Sequence, residues 1–184
     1  MPALLVVITI TVVIVAGAGF LAWNQARTLQ LRRRFGPEYD RAVDRLGGRR
    51  EAERELHART QHHQELGIRP LDERVRARYL EEWARIQALF VDDPGPAVDQ
   101  AGHLVITVMG ERGYPAGDFE VRLAVLSVEH ARALDHYRNG YEISLRDEAS
   151  TEDLRQAMVH YRAVVGDLLS AKVPAMSGRP RGDE

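Results

Sequence analysis

The chain has 184 residues, 45% hydrophobic and 28% charged, with a formal net charge of −2. That balance excludes broad non-specific nucleic-acid binding. The absence of cysteine excludes disulfides, thiolate catalysis, iron–sulfur clusters and cysteine zinc sites.

The first element is apolar. Ala3 to Trp23 holds no charged residue, and as a helix it covers about 31 Å, the thickness of a ~30 Å hydrocarbon core. Its Val and Ile content suits a strand in water, but a lone segment in lipid satisfies its backbone only as a helix. Trp23 falls where an interfacial aromatic is expected, and Arg27, Arg32, Arg33 and Arg34 follow it. The charge is uneven: residues 24–63 carry +4 and the remainder −6. The basic flank lies C-terminal to the apolar run, which predicts the N-terminus outside and the bulk of the chain in the cytoplasm. The arginines are also expected to meet anionic headgroups. Two other readings compete with a permanent anchor. One is a signal peptide cleaved after Ala18, at the Ala16-Gly17-Ala18 site; no Lys or Arg precedes the run to support it. The other is a core helix, which would need a large surrounding protein.

The rest of the chain reads as helix. Gly36-Pro37 ends the anchor's extension, with Pro37 suited to a first helical position. Tyr39, Val43 and Leu46 share a face, and Gly47-Gly48 interrupts. Residues 49–67 carry few apolar side chains (Ala52, Leu56, Ala58, Leu66) and predict a polar helix, a candidate coiled-coil stalk, stopped by Gly67. Asp72 caps the next helix, whose stripe is Val75, Tyr79, Trp83, Ile86 and Phe90. Asp93 and Pro94 open another, with Val98, Ala101, Val105, Val108 and Met109 facing inward. Gly113-Tyr114-Pro115 closes it. "HLVITVM" alternates weakly as a strand, but no second run exists to pair with it. Asp118 opens a short segment, Phe119 to Leu126. Ser127 is expected to cap a helix with His130, Leu134, Tyr137, Tyr141 and Leu145 on one face; Asn139-Gly140 weakens it. Ser150 and Asp153 form a capping-box pattern for a last helix with Leu154, Met158, Tyr161, Val165 and Leu168.

These stripes need partners. The expected architecture is all-α: a single N-terminal transmembrane helix followed by an antiparallel helical bundle. The divisions are an anchor with its basic flank at 1–35, a polar stalk at 36–67, a bundle at 68–172 and a disordered tail at 173–184.

Chemistry-bearing patterns are weak. His57, His62 and His63 stand at offsets of five and six, which do not fit ligands on one helix face, and read as surface residues. His103, His130, His136 and His160 read as satisfied or exposed. Asp92-Asp93, Glu81-Glu82 and Glu152-Asp153 read as caps and solvated faces. "GAGFLA" is the nearest thing to a dinucleotide fingerprint, but it lies inside the apolar run. The helical aromatics read as core. Tyr114, in its Gly-Tyr-Pro turn, either fills a hinge pocket or faces a partner. No catalytic, cofactor-binding or metal-ligating residue is assigned, and no cofactor is expected.

The strings "RRRFGPEYDRAV", "IRPLDERVRARYLEEWARIQALFVDDP", "VMGERGYP" and "STEDLRQAMVHYR" resemble an uncharacterised bacterial family with one N-terminal transmembrane segment and a helical domain. The resemblance runs from about Arg32 to Leu169 and implies architecture without an assigned activity. The leading expectation is a membrane-tethered interaction or scaffold module. It would contact the bilayer and a protein partner, with homo-oligomers allowed and no nucleic acid. The alternatives are a ligand-binding or enzymatic helical domain with an idiosyncratic pocket, or a secreted stress-related protein released from its signal peptide.

Overall fold

The computed structural model describes residues 2–170, with side chains from residue 14 onward apart from Phe20. The expected tail at 173–184 lies outside the described residues. The described residues form eight helices and no strand. They are α1 (Pro2–Phe35), α2 (Pro37–Leu46), α3 (Arg49–Glu65), α4 (Glu73–Asp92), α5 (Pro94–Arg112), α6 (Phe119–Glu129), α7 (Leu134–Ser144) and α8 (Thr151–Ser170). The all-α expectation holds. Among the described residues no helix is long and apolar enough to cross a membrane; the expected span falls mainly on side chains 3–13 and 20, outside that set.

The chain divides into two compact units, Met1–Ala58 and Arg59–Glu184, with the division inside α3. In the first unit, the last turns of α1 are part of a small core. Thr28, Leu31 and Phe35 recur at helical spacing and are buried with Tyr39, Ala42, Ala52 and Leu56. Gly36, at φ 52, ends α1 because the left-handed conformation is open to glycine and strained for other residues. Pro37 then starts α2 with φ already fixed. The stretch expected as a polar stalk is two helices parted at Gly47, and both give residues to this core. The predicted α2 stripe is only partly right: Tyr39 is buried, Leu46 is exposed.

The second unit is a bundle-like assembly in which α5 packs against both α4 and α8, and α8 against α7. The stripes predicted for α4, α5 and α8 face its core, whereas the one predicted from His130 to Leu145 is broken by the turn before Leu134 and leaves Leu145 exposed. Tyr79, Trp83 and Ile86 are buried on α4, and Val98, Ala101, Val105, Val108 and Met109 on α5. Met158, Tyr161, Val165 and Leu168 are buried on α8. The α5 "HLVITVM" run is helix. Local signals act as read. The Asp72 carboxylate accepts from the Arg74 N–H, and the Asp118 carboxylate from the Val121 N–H. Ser150 and Asp153 make a reciprocal capping box: the Asp153 N–H donates to Ser150 Oγ at 3.1 Å, and the Ser150 N–H to Asp153 Oδ2 at 3.0 Å.

Two boundaries differ from expectation. Ser127 caps nothing, because α6 runs through it to Glu129. Its hydroxyl donates to the Ala124 carbonyl at 2.6 Å, and the apolar run Leu123, Val125, Leu126 and Val128 buries the whole turn. Asn139-Gly140 lies inside α7. A Cβ at Gly140 would meet the Tyr161 ring at 3.3 Å and His160 Cβ at 3.4 Å. Glycine is there to let α7 approach α8.

Candidate functional site

Each unit holds its own cluster of ionisable groups. In the first, Glu53 on α3 is the centre of a junction of all three helices. Its carboxylate accepts from Thr28 Oγ1 of α1 at 2.7 Å, from Tyr39 OH of α2 at 3.0 Å and from Arg49 Nε at 2.9 Å. Arg49 also contacts Thr28. Burial pushes the Glu53 carboxyl up, but these three donors outweigh it and hold it below the ordinary range. Trp23, expected at a membrane interface, is 66% exposed. Arg27 reaches His57 Nε2 at 3.1 Å. Arg32 pairs with Asp40 at 3.6 Å and lies over the Tyr39 ring. Arg33 and Arg34 are exposed.

In the second unit, several helix ends converge on Arg112, the last residue of α5, which is fully buried. Its Nη1 faces His130 Nε2 at 3.0 Å and donates to the Leu168 carbonyl of α8 at 3.3 Å. Its Nη2 lies 3.6 Å from Glu129, the last residue of α6. The guanidinium also sits 5.4 Å from the Tyr114 ring centroid. A guanidinium only donates, so His130 Nε2 must accept. The other ring nitrogen then carries the proton and donates to Asp167 Oδ2 at 2.6 Å. His63, at the end of α3, faces the same Glu129 carboxylate at 3.7 Å, and Tyr114 OH donates to it at 3.3 Å.

The chemistry follows from who faces whom. His130 is held in one tautomer by a carboxylate, as an orienting group holds a catalytic histidine. Its remaining nitrogen, however, points at a guanidinium, so it has no lone pair to offer a substrate proton. Arg112 likewise faces protein acceptors on several sides. The cluster therefore works as a clamp on the ends of α3, α5, α6 and α8.

Tyr114, read in the sequence as either filling a hinge pocket or facing a partner, is buried, with 4% exposure. Burial pushes its phenol up, with Arg112 opposing. The expectation that His57, His62 and His63 all lie at the surface fails at His63, which is buried. The convergence had no signal in the sequence: its members are scattered along the chain from His63 to Leu168.

A second feature is a cavity of about 120 Å³ lined by Val98, Gly102, Tyr137, Tyr141 and Tyr161, among others. Ligand pockets usually span roughly 300–1,000 Å³, so this one has room for little more than a few waters. Burial raises the Tyr137 and Tyr161 phenols. Arg122 Nε donates to Tyr137 OH at 2.7 Å.

Among the described residues, no group of three or more His, Asp or Glu is arranged to hold a metal ion. No protein-family model, curated protein or solved structure matches this chain.

Proposed function

We propose that the chain is a membrane-tethered helical interaction or scaffold module: a single-pass α1 anchor, then an antiparallel bundle on the cytoplasmic side. The observation that carries this reading is the character of α1. It is one helix from Pro2 to Phe35. Its uncharged stretch exposes Ile14, Val15, Leu21 and Trp23 at 64 to 66%, and its last turn carries Arg32, Arg33 and Arg34. A row of large apolar side chains on one helix needs a cover, and lipid followed by headgroups supplies both halves. The buried ionisable groups of the second unit engage one another, which suits a rigid platform better than a reaction site. The resemblance to a family with the same architecture adds no activity.

Membrane fractionation with an alkaline carbonate wash tests the tether. Retention in the pellet is expected, and release into the wash overturns it. Protease added outside intact spheroplasts tests the side. Protection of the helical units is expected; digestion from outside, or a mature chain beginning at Gly19, overturns the orientation. A pull-down from detergent-solubilised membranes should return a stoichiometric partner, and recovery of the bare chain alone counts against the scaffold role.

A further inference from the structure

His136 on α7 and His160 on α8 face each other with Nδ1 atoms 2.9 Å apart and ring centroids 5.2 Å apart. Both rings are half-buried, and neither belongs to the Arg112 clamp. Nitrogen ligands bind zinc-class cations at ~2.0–2.1 Å. Two such ligands in adjacent positions stand about 2.9 Å apart at a right angle and about 3.4 Å apart at the tetrahedral angle. The observed separation fits two adjacent ligands of one ion as well as it fits a direct hydrogen bond between the rings.

The spacing is set by the backbone. Gly140 lies one turn beyond His136, and a Cβ there would stand 3.4 Å from His160 Cβ. The two helices are therefore close where the rings meet, and a shared ion requires the rings to turn until both lone pairs face one point. Without an ion, one ring donates its Nδ1–H to the other.

We propose that His136 and His160 form a two-imidazole site for a borderline divalent cation of the copper(II), nickel or zinc class, clipping α7 to α8. Water fills the remaining positions, since the site has two protein ligands. Imidazole nitrogen selects these ions over magnesium or calcium, which prefer oxygen.

The test uses the untagged full chain in neutral detergent, titrated with Cu²⁺ and followed by electron paramagnetic resonance and calorimetry. One ion per chain with two imidazole nitrogens in the hyperfine pattern is expected. His136→Gln and His160→Gln should each abolish that pattern, while His103→Ala, on exposed α5 surface, should keep it. A wild-type spectrum with one imidazole or none overturns the proposal by itself, whatever the variants do. So does a two-nitrogen pattern that survives in both glutamine variants, or one that is lost in His103→Ala.

Discussion

Arg112→Ala is the most informative perturbation of the fold. The side chain is fully buried and serves His130 Nε2, the Leu168 carbonyl and the Glu129 carboxylate. Truncation leaves all three facing an empty volume. An orphaned buried polar group costs ~1–3 kcal/mol, and breaking a buried ion pair from one side costs ~3–5 kcal/mol. Glu129 keeps 18% exposure and its contacts with Tyr114 and His63, which puts the loss toward the lower end, about 3–4 kcal/mol. Against a usual total of ~5–15 kcal/mol, that is a large fraction, and it lowers the melting temperature by roughly 10 °C. Urea and thermal unfolding of the full chain in neutral detergent, followed by circular dichroism, measure it. The double variant R112M/E129Q removes both charges and refills the volume, so it should lose less than Arg112→Ala alone. A loss below about 1 kcal/mol for Arg112→Ala, or a double variant worse than the single, would refute the clamp.

Other perturbations have opposite signs at chemically similar places. Gly140→Ala drives a methyl against Tyr161 and His160, and should cost ~1–2 kcal/mol despite alanine's helix preference. Gly166→Ala, with nothing within 4 Å of the added carbon, should gain ~0.5–1 kcal/mol in the same unfolding assay. Ser150→Ala removes the α8 cap, at about 1 kcal/mol. It should also bring the Asp153 carboxyl, now held down first by its bonds to Ser150, back toward 3.8, as read by NMR titration. Acid should fray α8 from its N-terminus. Bonds from Arg155 and then Gln156 hold Glu152 down at about 2, from an ordinary 4.5. A carboxyl depressed on folding contributes above its unfolded pKa and loses that contribution as pH falls through its folded one. The amide signals of the first α8 turn should therefore weaken between about pH 4.5 and 2, while those of α5 hold.

The parts of the fold legible in the sequence were those set locally. Stripes such as Tyr79–Trp83–Ile86 on α4 have the helical period because one face is buried. Gly67 and Gly113 stop helices because each sits at positive φ, 62 and 93. The capping box of Ser150 and Asp153 closes within one turn. What was illegible depends on distant residues. Ser127 has the chemistry of a cap, but packing keeps it mid-helix. Gly140 has the chemistry of a breaker, but α8 needs its missing side chain. Thr28, Leu31 and Phe35 read as the tail of an anchor, yet they are buried with Tyr39 and Leu56. Neither the Arg112 clamp nor the His136–His160 pair has a spacing motif, since each joins residues from different helices.

The tether is tested most directly at Trp23. The chain has two tryptophans, and Trp83 is buried in the second unit, so a Trp83→Phe variant isolates Trp23 as a fluorescent reporter. Reconstituted into vesicles containing brominated lipid, Trp23 should be strongly quenched, most by bromines near the headgroup end of the acyl chain. Emission unaffected by any brominated position would contradict a membrane-tethered chain.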